Sequence, residues 1–224
     1  MKVLVTGAGS GVGQAVADAL DARGDQLVLV ARSPERAAYL GERYPRAGVR
    51  IVDLAEPHHI AAAVDRLADL DAVVHAAGVV ELGPLAESRL DQLEEQLAVN
   101  LVAPTELTRA LLPALRATRG SVVFLNSGAG LVAHPEWSAY AASKFGLRAI
   151  ADALRAEEPS LRVASVYLGR TATPMQRKVH EQEGKAYDAS DWATPESAAA
   201  TILHVLDLPR DVTISDVTVR PGAR

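Results

Sequence analysis

Short β-rich runs alternate with helical patterns from one end of the chain to the other, and this alternation constrains the fold more than any single residue does. The runs are Lys2–Thr6, Gln26–Ala31, Val49–Val52, Ala72–His75, Ser121–Asn126, Arg162–Leu168 and Val212–Val219. Between the first two, Val12, Ala15, Val16, Ala19 and Leu20 repeat at the spacing of one helix face, and Gly24 stands where a helix stop is expected. Similar helical stretches are expected at Pro34–Arg43, Pro57–Ala68, Ser88–Thr118, Trp137–Glu157 and Pro195–Leu206. Helices between successive strands impose crossovers, and crossovers join parallel neighbours. The expected architecture is α/β: a doubly wound, seven-stranded, mainly parallel sheet with helices on both faces.

Local punctuation supports two of the helix starts. Ser33-Pro34 and Thr194-Pro195 each place a capping hydroxyl before a proline at the first helical position. Pro104 falls inside the long pattern Ser88–Thr118, where the missing N–H predicts a kink or a division. With 224 residues and no repeat, low-complexity segment or linker, residues 1–224 are expected to form one domain.

A formal charge of -5 disfavours general nucleic-acid binding, which requires a basic patch. The absence of cysteine removes disulfides, thiolate nucleophiles and Cys-based metal sites, and no metal centre is expected. The start Met1-Lys2-Val3-Leu4-Val5 is too short an apolar run for a secretory signal. Asp65, Arg66, Asp69 and Asp71 interrupt the best candidate for a membrane span. A soluble, cytoplasmic protein is the expectation.

Thr6-Gly7-Ala8-Gly9-Ser10-Gly11-Val12-Gly13 lies between the first strand and the first helix, where open α/β sheets bind ligands. Glycines let the backbone turn and approach a pyrophosphate, and the free N–H groups of a helix start favour its charge. No Lys-Ser or Lys-Thr follows, which excludes a P-loop. The second strand ends Val30-Ala31-Arg32-Ser33, with no acid for a ribose 2′-hydroxyl. Arg32 and Ser33 can instead meet a 2′-phosphate, selecting NADP(H) over NAD; the plain alternative is a solvated arginine. Asp53, ending the third strand, is a weaker candidate for the adenine amino group, with helix capping as its alternative.

Thirteen residues after Ser127 comes Tyr140, and Lys144 follows four residues later on the same helix. Residues i and i+4 share a face about 6 Å apart. A phenol of reference pKa ~10 is a poor base near neutrality, and an adjacent ammonium with a bound nicotinamide cation lowers it. Ser127 can donate to a substrate oxygen while Tyr140 transfers a proton. Alone, a Tyr and a Lys at this spacing are commonplace on helices.

Taken together, these residues resemble the short-chain dehydrogenase/reductase family in its compact form, over almost the whole chain. Thr6, Gly7, Gly11 and Gly13 match its T-G-x-x-x-G-x-G pattern, Tyr140 and Lys144 its Y-x-x-x-K, and Ser127 its upstream serine. The resemblance implies a Rossmann-like fold and NADP(H)-dependent interconversion of a carbonyl and an alcohol. It implies catalytic roles for Asn100, Ser127, Tyr140 and Lys144, with Asn100 holding a water in a proton relay that ends at the lysine. Cofactor contacts are expected from Gly7, Ser10, Gly11, Val12, Gly13, Arg32, Ser33, Asp53 and Leu54. Further contacts are expected from Ala76, Ala77, Gly78, Tyr140, Lys144, Gly169, Thr171 and Thr173. Two departures stand out. The family's N-N-A-G reads His75-Ala76-Ala77-Gly78, where His75 is expected to be structural. Its P-G-x-x-x-T reads Leu168-Gly169-Arg170-Thr171-Ala172-Thr173, without the rigid proline beside the nicotinamide.

The pocket wall is expected from Gly128–Trp137 and from an irregular, mobile lid over about 174–194, with Leu131, His134, Trp137, Met175 and Tyr187 as candidate lining. The substrate is expected to be a small or medium aldehyde or ketone. The resemblance also implies a homodimer or homotetramer packed through Ser88–Thr118 and Trp137–Glu157. A dinucleotide-sensing binding protein would need the glycine turn but neither Tyr140 nor Lys144. A sugar-nucleotide epimerase or dehydratase of the extended branch resembles T-G-x-x-G-x-x-G and carries a larger C-terminal region.

Overall fold

The seven strands form one sheet in the order β3-β2-β1-β4-β5-β6-β7, and every pairing is parallel. The computed structural model describes residues 1–222. The strands are β1 (Lys2–Thr6), β2 (Gln26–Ala31), β3 (Gly48–Ile51), β4 (Ala72–His75), β5 (Ser121–Ser127), β6 (Arg162–Leu168) and β7 (Asp216–Val219). The eight α-helices are α1 (Gly11–Ala22), α2 (Pro34–Arg43), α3 (Ile60–Ala63), α4 (Leu90–Leu97), α5 (Ala103–Thr118), α6 (Ser138–Glu157), α7 (Pro174–Gln182) and α8 (Pro195–Asp207).

Period-two alternation places successive side chains of each strand on opposite faces, and both faces are covered, so the strands read as unbroken apolar runs. Val3 and Val5 of β1 join Leu27, Leu29, Val74 and Val123 in a core under α1, α2 and α8. Leu4, between them, joins Val28, Val73, Val122 and Phe124 in a second core under α5 and α6. The strand order reverses between β1 and β4, which opens a crevice at their carboxyl ends.

Three expectations are corrected by the structure, while the division predicted at Pro104 is borne out. The helix expected over Pro57–Ala68 is a 3-10 turn (Pro57–His59) followed by the one-turn α3. Left-handed Arg66 and Asp69 then end helical geometry, and Leu70 enters the sheet fully buried. The pattern Ser88–Thr118 is divided into α4 and α5 by a π-turn at Ala98–Val102. Pro104, in the first turn of α5, cannot donate to the carbonyl of Asn100, and its ring disfavours a regular turn there; the wider turn relieves both conflicts. The run Val212–Val219 is strand only from Asp216; Val212 is exposed, and the stretch before β7 pairs just once with β6, Ser165 N donating to Ser215 O at 2.8 Å.

The third correction concerns the lid. The region expected to be irregular begins with the nine-residue α7. Thr173 caps it, its hydroxyl accepting from Gln176 N at 3.1 Å, and Pro174 fills the first turn. This is the punctuation of Ser33-Pro34, whose serine accepts from Arg36 N, and of Thr194-Pro195, whose threonine accepts from Ser197 N. No described helix is long and apolar enough to cross a membrane.

Candidate active site

One cleft of about 810 Å³ runs along the carboxyl ends of β1, β2, β4, β5 and β6 and holds both groups of residues singled out in the sequence. Its floor at one end is the glycine turn between β1 and α1. Gly7 and Gly11 have φ of 71° and 56°, values that side chains rarely adopt. Gly13 packs so closely that a Cβ there would lie 2.4 Å from the Gly7 carbonyl oxygen. Thr6 locks the turn to the end of β4, its hydroxyl accepting from Ala76 N and Ala77 N at 3.0 Å each. The start of α1 is left open: Ser10 makes no side-chain cap and no acidic residue occupies the first turn. An uncapped helix start facing a cleft offers free N–H groups to an anion.

Gly7, Ser10, Gly11, Val12, Gly13, Arg32, Asp53, Leu54, Ala76, Ala77, Gly78, Gly169, Thr171 and Thr173 all line this cleft, as do Ser127, Tyr140 and Lys144. Two predicted residues do not. Ser33 accepts from Arg36 N at 3.3 Å and hydrogen bonds the Glu35 carboxylate, which holds that carboxyl below its ordinary range. Its hydroxyl makes the cap that Ser33-Pro34 predicts for α2. Asn100 lies behind the lining in the π-turn, 1% exposed, with its amide fully engaged. It accepts from Val79 N and donates to Val79 O, both at 2.9 Å, and donates to Ser143 Oγ at 3.1 Å. Asn100 and Lys144 flank Gly78: a Cβ there would lie 3.2 Å from Asn100 Oδ1 and 4.0 Å from Lys144 Nζ.

Arg36 was missed by the sequence reading. It stands one turn after Arg32, lines the same end of the cleft, donates to Gly9 O at 3.2 Å and lies 5.0 Å over the Tyr39 ring. A second base in the first turn of the helix that follows Arg32 was the available signal.

At the other end, Tyr140 and Lys144 are buried on one face of α6. Lys144 Nζ donates to Leu125 O at 3.0 Å and lies 5.8 Å from the centre of the Tyr140 ring. Burial lowers the lysine to about 8, so it stays mostly protonated at neutral pH. Burial raises Tyr140, and a hydrogen bond with Ser127 works against that rise. Burial thus moves the phenol in the direction opposite to the one expected beside a bound cation. Trp137 packs edge-on against Tyr140 at 5.8 Å.

A further missed residue, Asn126, ties these groups together. Its Nδ2 donates to Lys144 O at 3.1 Å and its Oδ1 accepts from Ser127 N at 2.8 Å, so one buried amide sets the end of β5 against α6. Gly130 leaves room for it, since a Cβ there would lie 2.5 Å from Asn126 Oδ1. His75 is structural: it stacks on Phe124 at 4.9 Å and contacts Thr108 Oγ1 at 2.8 Å, and burial lowers it to about 3. Of the expected substrate wall, His134, Trp137 and Met175 line the cleft. Leu131 and Tyr187 do not, and Tyr187 packs against His180.

A doubly wound sheet with an open helix start at its switch point, and a buried Ser-Tyr-Lys group at the far end of the same cleft, defines a dinucleotide-fold oxidoreductase. The family model for short chain dehydrogenases matches residues 1–184, and the chain belongs to that family. Glycine betaine reductase ATRR of Emericella nidulans is 32% identical over 97% of this chain, although the chain spans only 18% of that protein. Dehydrogenase/reductase SDR family member 7B of Mus musculus is 31% identical over 96% of the chain and 73% of the relative. An alcohol dehydrogenase of the archaeon Thermococcus sibiricus, solved in complex with 5-hydroxy-NADP, has the same fold. Its TM-score is 0.86 at 24% identity, over 98% of this chain and 96% of that one.

Proposed function

We propose that the protein is a cytoplasmic, NADP(H)-dependent oxidoreductase that reduces a small or medium aldehyde or ketone to an alcohol. The observation that carries this reading is the single cleft that joins Ser127, Tyr140 and Lys144 to the uncapped start of α1 and two arginines. That donor set fits a phosphorylated dinucleotide: N–H groups for the pyrophosphate, Arg32 and Arg36 for a 2′-phosphate, and Thr171 and Thr173 for the carboxamide end. Bound there, NADPH supplies the hydride that the chain itself lacks.

Ser127 and Tyr140 donate hydrogen bonds to the substrate oxygen and polarise the carbonyl. As the carbon gains hydride, Tyr140 passes its proton to the oxygen, and its high ligand-free pKa keeps that proton available. Lys144, still charged near neutrality, stabilises the phenolate left behind. The proton returns through the region beside Asn100, which flanks Gly78 together with Lys144.

The test is NADPH consumption against a panel of aldehydes and ketones with wild-type protein and Tyr140→Phe. Turnover lost in the variant, with NADP(H) binding retained, is the expected result. An active Phe variant overturns the mechanism, and binding without turnover on any carbonyl favours a dinucleotide sensor. We also propose a homodimer or homotetramer through α5 and α6, near which Val102 and Phe145 are 41% and 40% exposed. Light scattering at a monomer mass overturns that assignment.

A further inference from the structure

The turn that follows β6 begins at Leu168 and carries Gly169, Thr171 and Thr173 into the cleft. Arg170, in its middle, is held from three sides by the lid. Its Nη2 donates to both carboxylate oxygens of Glu183 at 2.7 and 2.9 Å. Its guanidinium lies 5.3 Å from the centre of the Trp192 ring, and Nη1 approaches His180 Nε2 at 3.5 Å. Glu183 follows the last turn of α7 and Trp192 precedes α8, so one side chain fastens the middle and the far end of the lid to this turn.

Exposed ion pairs contribute little to a structure. This one differs in that one guanidinium nitrogen serves both carboxylate oxygens, the guanidinium lies over Trp192, and the carboxylate's side chain is only 10% exposed. The backbone is pinned as well: Gly169 N donates to Val219 O at 2.7 Å and Ala172 N to Ala193 O at 2.8 Å. Between these two anchors the Arg170 side chain bonds Glu183 of the lid.

We propose that Arg170 is a positioning residue for the reaction, holding the Gly169–Thr173 turn, where a bound nicotinamide would sit opposite Tyr140, in a chain that has Leu168 in place of a rigid proline. The inference rests on the dinucleotide reading above. A turn loosened by about 1 Å costs turnover of up to roughly a hundredfold without loss of the cofactor. Most cofactor contacts lie at the other end of the cleft.

Arg170→Met, Arg170→Lys and Glu183→Gln are compared with wild type for kcat, for NADP+ affinity by protein fluorescence, and for melting temperature. Arg170→Met is expected to lose about tenfold to a hundredfold in kcat while the NADP+ Kd moves less than about threefold. Arg170→Lys keeps the charge but not the fork and is expected to recover only part of the loss. Adding Leu168→Pro to Arg170→Met is expected to recover kcat, a rescue that a merely structural arginine would not show. Turnover of the Met variant within twofold of wild type overturns the proposal, as does a lower melting temperature with kcat unchanged. Should Arg170→Met not fold, Glu183→Gln carries the same comparison, and unchanged kcat there overturns it too. Wild-type protein that binds no NADP(H) removes the dinucleotide reading itself, before any variant is compared.

Discussion

Replacing Asn126 with alanine tests whether the site is held by one buried amide. In the folded protein that amide accepts from Ser127 N at 2.8 Å and donates to Lys144 O at 3.1 Å. The Lys144 carbonyl keeps its helical partner when the amide is removed, while Ser127 N, part-buried at the end of β5, loses the partner it has here. Leaving that donor unsatisfied costs about 1–3 kcal/mol, and the lost bond to Lys144 O adds about 1 kcal/mol. A total near 2–4 kcal/mol corresponds to a fall in melting temperature of roughly 4–16 °C for a domain of this size. Turnover suffers separately, because the amide positions the backbone of both Ser127 and Lys144; a loss of about tenfold to a hundredfold in kcat is expected. Thermal melts followed by circular dichroism give the first quantity. Steady-state kinetics well below the variant's melting temperature give the second. A melt within 2 °C of wild type refutes the stability reasoning, because about 1 kcal/mol alone shifts the melt by that much, and unchanged kcat in a folded variant refutes the positioning role.

Tyr140→Phe is expected to remove at least about a hundredfold of turnover, the lower end of what general acid–base groups contribute, while NADPH fluorescence titration shows unchanged affinity. Arg32→Ala and Arg36→Ala are each expected to weaken NADPH relative to NADH by roughly tenfold to a hundredfold, the worth of a charge-assisted contact; equal losses with both cofactors would count against a 2′-phosphate site. His75 gives a pH signature. Its folded pKa, lowered to about 3 by burial, lies below its unfolded value, so the unfolded chain binds the extra proton between those two values. The resulting stability is present above pH ~6.5 and is lost as pH falls toward the folded pKa, about 2 kcal/mol of it by pH 5. Urea unfolding should show that decline in wild type and a flatter one in His75→Asn; parallel slopes would contradict the assignment.

The parts of the site legible in the sequence are those in which chemistry repeats a local period. Tyr140 and Lys144 share a helix face because they are four residues apart, and the glycine turn sits between a strand and a helix whose patterns are both local. The seven strands were legible for the same reason, since burial on both faces leaves continuous apolar runs. What was not legible depends on pairing across distance. Thr6 meets Ala76 and Ala77 seventy and seventy-one residues away, and Asn126 meets Lys144 across eighteen. A serine such as Ser33 reads equally as ligand or cap until the neighbouring helix start claims it. The lid shows the converse failure. Thr173-Pro174 carried the same cap signal as Thr194-Pro195, yet the polar composition that follows it masked a nine-residue helix. Polarity there reflects what α7 faces: Lys178 and Gln182 both bond Glu81, while only Gln176, Val179 and His180 are buried. A helix that rests on a cleft rather than on the sheet needs only a narrow apolar stripe, so its start, not its periodicity, is the evidence to weigh.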